Sequence, residues 1–123
     1  MDKFQETHMN IVMETTVKEL RKHRFDAHMF TDRDALLRFV LDNASDIETV
    51  GVAGTHTVRE LGIISMLENA GKTVFDHWKF KAGDPEELAC RKKQLTCDLF
   101  VTSANAVTMT GEIVNRDGCG NRI

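Results

Sequence analysis

The chain is short of the features that identify a protein at sight. It has a single proline and eight glycines in 123 residues, too few for a linker-rich or disordered chain. No apolar run approaches about 18 residues, so no segment is expected to span a membrane. The first residues, Met1-Asp2-Lys3-Phe4-Gln5-Glu6, lack the basic start and apolar core of a secretory signal. The three cysteines, Cys90, Cys97 and Cys119, contain no CxxC pair. An odd number without a signal peptide reads as a reducing, cytoplasmic setting. Three scattered cysteines cannot hold an iron–sulfur cluster in the usual four-cysteine way. The histidines show no HxxxH or HExxH spacing, so neither a metal nor a cofactor is assigned. Positive charge is not in surplus either: 16 Lys and Arg stand against 19 Asp and Glu, a net charge of −3. A nucleic-acid footprint is therefore missing.

What is present suits one ordinary folded domain. Hydrophobic residues make up 41% and charged residues 28%, and a chain of this length buries roughly two-thirds of its unfolded surface. Residues 5 to 24 carry apolar side chains at three- and four-residue spacing (Met9, Val12, Met13, Val17, Leu20), which predicts an amphipathic helix. Asp26 to Phe30 reads as a short extended segment. Thr31 or Asp32 caps a second helix over 33 to 43. The β-branched run Thr49-Val50-Gly51-Val52-Ala53 predicts a buried parallel strand. Thr55 to Thr57 offers N-cap hydroxyls for a helix that follows to about Ala70, and a strand is expected from Lys72 to Asp76. Asp84-Pro85-Glu86-Glu87 starts another helix, with an Asp cap and Pro in first position. Cys97 to Ser103 reads as the next buried strand, and Ala106–Met109 with Glu112–Asn115 as a hairpin. Strands alternating with helices imply an α/β fold: a mostly parallel sheet with helices on both faces.

In such sheets ligands bind beyond the carboxyl ends of the strands. Three loops qualify. Gly51 to Thr57 offers Gly54 for close approach of a ligand and the Thr55 and Thr57 hydroxyls as donors. It is neither a phosphate-binding P-loop nor a GxGxxG turn, because the required residues do not follow. Thr102 to Ala106 brings Asn105 to a strand end. The third is Val114-Asn115-Arg116-Asp117-Gly118-Cys119-Gly120-Asn121-Arg122, the densest cluster of special residues in the chain. Its Asn, Asp and Gly residues suit a tight loop. His56, in the first loop, and Glu112, on the hairpin, are the weak candidates for a general base. His8, His23, His28 and His77 read as surface or half-buried residues.

Taken together, these three blocks resemble the LUD domain, the lactate-utilisation protein family of the C-subunit type and its stand-alone members. The first runs from Gly51 to Gly62, the second is Asp98 to Thr108, and the last, Gly111 to Arg122 with an N-x-D-G-x-G-N-R run from Asn115, is the most specific. The resemblance spans roughly Val17 to Ile123. It implies a fold similar to that of ribose-5-phosphate isomerase and the CoA transferases, and a cytoplasmic role in oxidation of lactate or a related small hydroxy acid. It implies a pocket for a small anionic metabolite formed by Gly54, Thr55, Thr57, Asn105, Asn115, Asp117, Gly118, Gly120, Asn121 and Arg122. It also implies an iron–sulfur partner subunit. The alternatives are a non-catalytic assembly subunit of an iron–sulfur lactate-oxidising complex, or a phosphosugar isomerase or acyl-transfer enzyme. Two departures stand out. The family's Gly-Gly-Ser loop is here Ala53-Gly54-Thr55, and the family's domain continues past the last block. The chain therefore reads as a single LUD-like domain over 1–123, the N-terminal portion of the family's domain, with residues 1–16 a leading helix. An incomplete sheet edge favours association, so a homo-oligomer is expected.

Overall fold

The starts of the first two helices are set by short-range polar contacts. Helix α1 (Lys3–Lys22) opens on a capping box: the Asp2 carboxylate accepts the Gln5 N–H at 2.8 Å, and the Gln5 side chain accepts the Asp2 N–H at 3.3 Å. That box moves the helix two residues earlier than its apolar spacing suggests. Helix α2 (Arg33–Asn43) begins where Asp32 accepts the Asp34 N–H at 3.1 Å. These coordinates, a computed structural model, describe residues 2–118.

Strands β1 (Thr49–Val52), β2 (Thr73–Asp76) and β3 (Leu99–Val101) form one parallel sheet in the order β2-β1-β3. Val50 lies opposite Val74 on one side and Leu99 on the other. Asp98 fixes this register, because its carboxylate accepts the N–H groups of Glu48 and Thr49, both at 3.1 Å. Those backbone bonds, Thr49 first, hold the Asp98 carboxyl below its ordinary range. Helices α3 (His56–Glu60) and α4 (Ile63–Asn69) link β1 to β2, and α5 (Pro85–Gln94) links β2 to β3. Strands β4 (Ala106–Val107) and β5 (Ile113–Val114) make the antiparallel hairpin.

Two compact units result. One holds the residues up to Thr31 with Ala104–Arg116; the other holds Asp32–Ser103 with the residues from Asp117. In the first, α1 buries none of its residues fully. The hairpin is tied to the end of that helix, with the His23 imidazole Nδ1 2.7 Å from the Gly111 carbonyl oxygen. The extended segment expected over 26–30 is not a strand. The Ala27 carbonyl accepts the Arg21 guanidinium at 3.1 Å, and no ladder forms among the described residues.

The second unit contains the core. Val50 and Val52 are fully buried and pack with Ala44, Val58, Ile63, Ile64 and Leu67 from the helices on that face. Gly51 points to the opposite face, where a Cβ would fall 2.9 Å from Cys97 Sγ and 3.1 Å from Gln94 Cα. The end of α5 thus lies directly on β1, and the sheet is flanked by helices on both faces, as the alternation of elements predicts.

The helix expected to run unbroken to Ala70 is instead broken at Leu61–Gly62. Gly62 takes φ 78°, a left-handed conformation costly for other residues. Arg33 of α2 holds the break, its Nε donating to the Leu61 carbonyl at 2.9 Å. Helix α5 starts as expected at Pro85, but the Asp84 side chain makes no cap bond. Glu87 in the first turn reaches back to accept the Gly83 N–H just before the helix at 2.6 Å, while its other oxygen takes Arg91 at 2.7 Å.

Because Leu67 is fully buried and Leu88 is 55% exposed, truncation of the two should separate cleanly. Leu67→Ala is expected to lower the unfolding free energy by about 2–5 kcal/mol, and Leu88→Ala by no more than about 0.5 kcal/mol. Urea denaturation followed by circular dichroism measures both; equal losses would contradict this placement of the core.

Candidate functional site

The three parallel strands all end on the same edge of the second unit, and each is followed by a short polar segment. Ala53–Thr55 follows β1, a 3₁₀ turn (His77–Lys79) follows β2, and Thr102–Ser103 follows β3. The chain leaves β1 for β2 on one side and comes back past β1 to β3 on the other. A reversal of this kind marks the strand ends at which open α/β sheets bind ligands. Thr55 and Ser103 meet there, with their hydroxyl oxygens 2.6 Å apart. Thr55 is buried and Ser103 half-buried. Only one hydroxyl proton sits between the two oxygens, so the other can go to a second acceptor. The expected cap role of Thr55 is absent: its hydroxyl bonds to Ser103 and makes no bond to α3.

Behind this pair stands Arg59. Its Nη1 donates to the carbonyls of Thr55 at 2.6 Å and Ala53 at 3.2 Å, and its Nη2 donates to the Asp76 carboxylate. The guanidinium also lies 3.7 Å from the centre of the Trp78 ring. Asp76 accepts the Trp78 N–H at 3.1 Å as well, which fixes the 3₁₀ turn. His56 meets Trp78 edge-on, ring centres 5.0 Å apart. The indole also lies close to Gly54, where a Cβ would come within 3.1 Å of Trp78 Nε1.

A second network lies under the strand ends. The Gln94 amide nitrogen donates to the carbonyls of Val52 and Phe75, each at 2.9 Å, and lies 3.0 Å from His77 Nδ1. The two carbonyls take both amide protons and settle which way the amide faces; a proton on His77 Nδ1 would oppose that amide, so the imidazole proton is assigned to Nε2. The Gln94 oxygen is buried with no partner among the described residues. His77, expected at the surface or half-buried, is 4% exposed. Burial first, then the positive charge of Arg91, pushes its pKa below the ordinary 6.5.

The expected site residues divide between the units. Gly54, Thr55, His56 and Thr57 belong to the unit that carries the parallel sheet, with His56 and Thr57 exposed. Asn105, Glu112 and Asn115 belong to the unit that carries the hairpin. There the Asn105 side chain accepts the Arg116 N–H at 2.8 Å, closing the base of the hairpin. The Glu112 carboxylate accepts the Thr110 hydroxyl at 2.8 Å, within the hairpin turn. The Asn115 Oδ1 is buried without a partner among the described residues. Asp117 is half-buried and Gly118 exposed. Gly120, Asn121 and Arg122 lie outside the described residues, as does Cys119. Arg59, Asp76, Trp78 and Gln94 were not anticipated from the sequence, whereas Ser103 lies in the second candidate loop. Arg59 stands one helical turn after Thr55, and Asp76-His77-Trp78 stands at a strand end; those positions were the available signals. Among the described residues no group of three or more His, Cys, Asp or Glu side chains is placed to hold a metal ion, and no helix is long and apolar enough to cross a membrane.

A family model described as the LUD domain matches residues 13–123. Comparison with curated proteins and with solved structures found no match.

The buried His77 gives a pH dependence with a definite sign. A histidine whose folded pKa lies below its unfolded value takes up its proton more readily in the unfolded chain. Its contribution is complete above pH 6.5 and is lost as the pH falls from there through the folded value. Thermal midpoints should therefore drop between about pH 7 and about pH 5, and His77→Gln should flatten that part of the profile. Superimposable profiles for the two proteins would contradict the assignment.

Proposed function

The chain belongs to the LUD domain family, and on that premise we propose that it binds a small anionic metabolite of the lactate type at the carboxyl ends of its parallel strands. The observation that carries this reading is the Thr55–Ser103 hydroxyl pair across the strand-order reversal, 2.6 Å between oxygens. It offers one free hydroxyl proton and two acceptor oxygens, the complement of a carboxylate beside a hydroxyl. Arg59 contributes shape more than charge, because Asp76 neutralises it and two carbonyls occupy its Nη1. A site built on hydroxyls favours a singly charged hydroxy acid over a phosphate dianion.

Binding is better supported than base catalysis. His56 has an aromatic neighbour and no hydrogen-bonded partner among the described residues, whereas a working base is normally oriented by a third group. Glu112 is engaged in its own hairpin turn. An iron–sulfur partner subunit, or a second copy of the chain, completes the proposal as the associate of this binding subunit in lactate oxidation. Apolar side chains left exposed on α1, such as Ile11 at 57%, suit such an associate.

Trp78 is the only tryptophan and lies beside Gly54 and Arg59 at the strand ends, so its emission reports on occupancy there. Titration with lactate is expected to give a saturable change in that emission, with inorganic phosphate weaker. Ser103→Ala should weaken lactate about three- to tenfold by removing one hydrogen bond to a charged group. No saturable change at high lactate, or equal affinity in the variant, would reject the reading.

A further inference from the structure

Strand β2 is an edge of the three-stranded sheet, and α5 packs beside it. The helix turns Glu86, Ala89, Cys90 and Lys93 toward the strand, the positions of one helical face. Ala89 and Cys90 are short where a leucine would reach across. A hollow of about 280 Å³ remains between them and the side chains of Val74, Phe75 and Phe80. That is close to the lower bound for small-ligand pockets, roughly 300 Å³. Its floor is apolar, since Cys90 is buried and burial pushes its thiol up, keeping it neutral.

Charge decides what fits. Four charged residues border the hollow: Asp76, Lys79, Glu86 and Lys93. Asp76 is taken by Arg59, and Lys79 by Glu68 at 2.8 Å. Lys93 joins no ion pair among the described residues, and its ammonium stands 5.6 Å from the Phe75 ring centre, at the side of the apolar space. Glu86 stands seven residues earlier, about 10 Å back along the helix. An anion is therefore drawn to the Lys93 end and repelled from the other.

We propose that this hollow is a second binding site, for a small amphiphilic carboxylate whose aryl or short alkyl body lies between Phe80 and the Ala89–Cys90 floor and whose carboxylate meets Lys93. It shares no donor with the Thr55–Ser103 pair, so the site stands or falls separately from the strand-end reading. The body gains from leaving water against apolar walls, and the ammonium supplies a charge-assisted bond at the rim.

The test is an amide NMR titration of the full chain with phenylacetate, with phenethyl alcohol as the neutral control. Saturable shifts are expected at Val74, Ala89 and Cys90, with the alcohol about tenfold weaker, the effect of one charge-assisted bond. Lys93→Gln should bring phenylacetate to the level of the alcohol, and Ala89→Trp should abolish binding of both by filling the hollow. Both positions are exposed, and should Ala89→Trp fail to fold, the Lys93→Gln arm decides alone. Absence of saturable shifts, shifts centred away from β2 and α5, or an unchanged acid-to-alcohol ratio in Lys93→Gln would overturn the proposal. Loss of lactate binding at Ser103 would leave these readouts unmoved.

Discussion

One guanidinium organises the strand ends. Arg59 bonds to the backbone of the loop after β1, to the carboxylate that ends β2, and to the face of the indole in the turn that follows. With side-chain exposures of 20% for Arg59 and 9% for Asp76, the pair is largely withdrawn from water. Such a pair adds little over a well-packed apolar substitute, yet removing one partner alone leaves a buried charge unmatched. Its value is geometric. It holds Ala53–Thr55 in one conformation, keeps Trp78 against Gly54, and thereby presents Thr55 to Ser103. The hydroxyl pair, the aromatic border and the 3₁₀ turn all depend on that arrangement.

Local signals in the sequence account well for the scaffold. The Asp32 cap and Pro85 start were readable because each depends on neighbours in the chain. The run Thr49–Val52 declared a buried strand because both faces are covered. What was hidden depended on distant partners. The break at Gly62 needs Arg33 from another helix, 28 residues away. The Thr55 hydroxyl looked like a cap and bonds instead to Ser103, 48 residues on. Nothing local to Gly54 says that the Trp78 indole comes close to it. His77 appeared unremarkable because its burial and its contact with Gln94, 17 residues on, arise only in the fold. The segment at 26–30 misled for the converse reason: a chain stretch can be extended without a strand to pair with.

The division into two units matters for the candidate pocket. The loops after β1 and β3 meet inside one unit, so their geometry is set by the parallel sheet itself. Asn105 and Glu112 have structural duties in the hairpin, closing its base and its turn. The part of the family signature that carries Gly120, Asn121 and Arg122 lies outside the described residues. The proposed function therefore rests on the strand-end hydroxyls and on membership in the LUD domain family over residues 13–123. The hollow beside β2 has a different origin. It exists because the sheet ends at β2 and α5 presents small residues there.

The central claim is that Arg59 and Asp76 act as one unit in holding the strand ends. A double-mutant cycle with Arg59→Met and Asp76→Asn, read by urea denaturation, addresses it directly. The account predicts that each single variant is destabilised and that the double variant loses little more, a coupling above about 1 kcal/mol. Additivity within about 0.5 kcal/mol would show that the two side chains act independently and would contradict it.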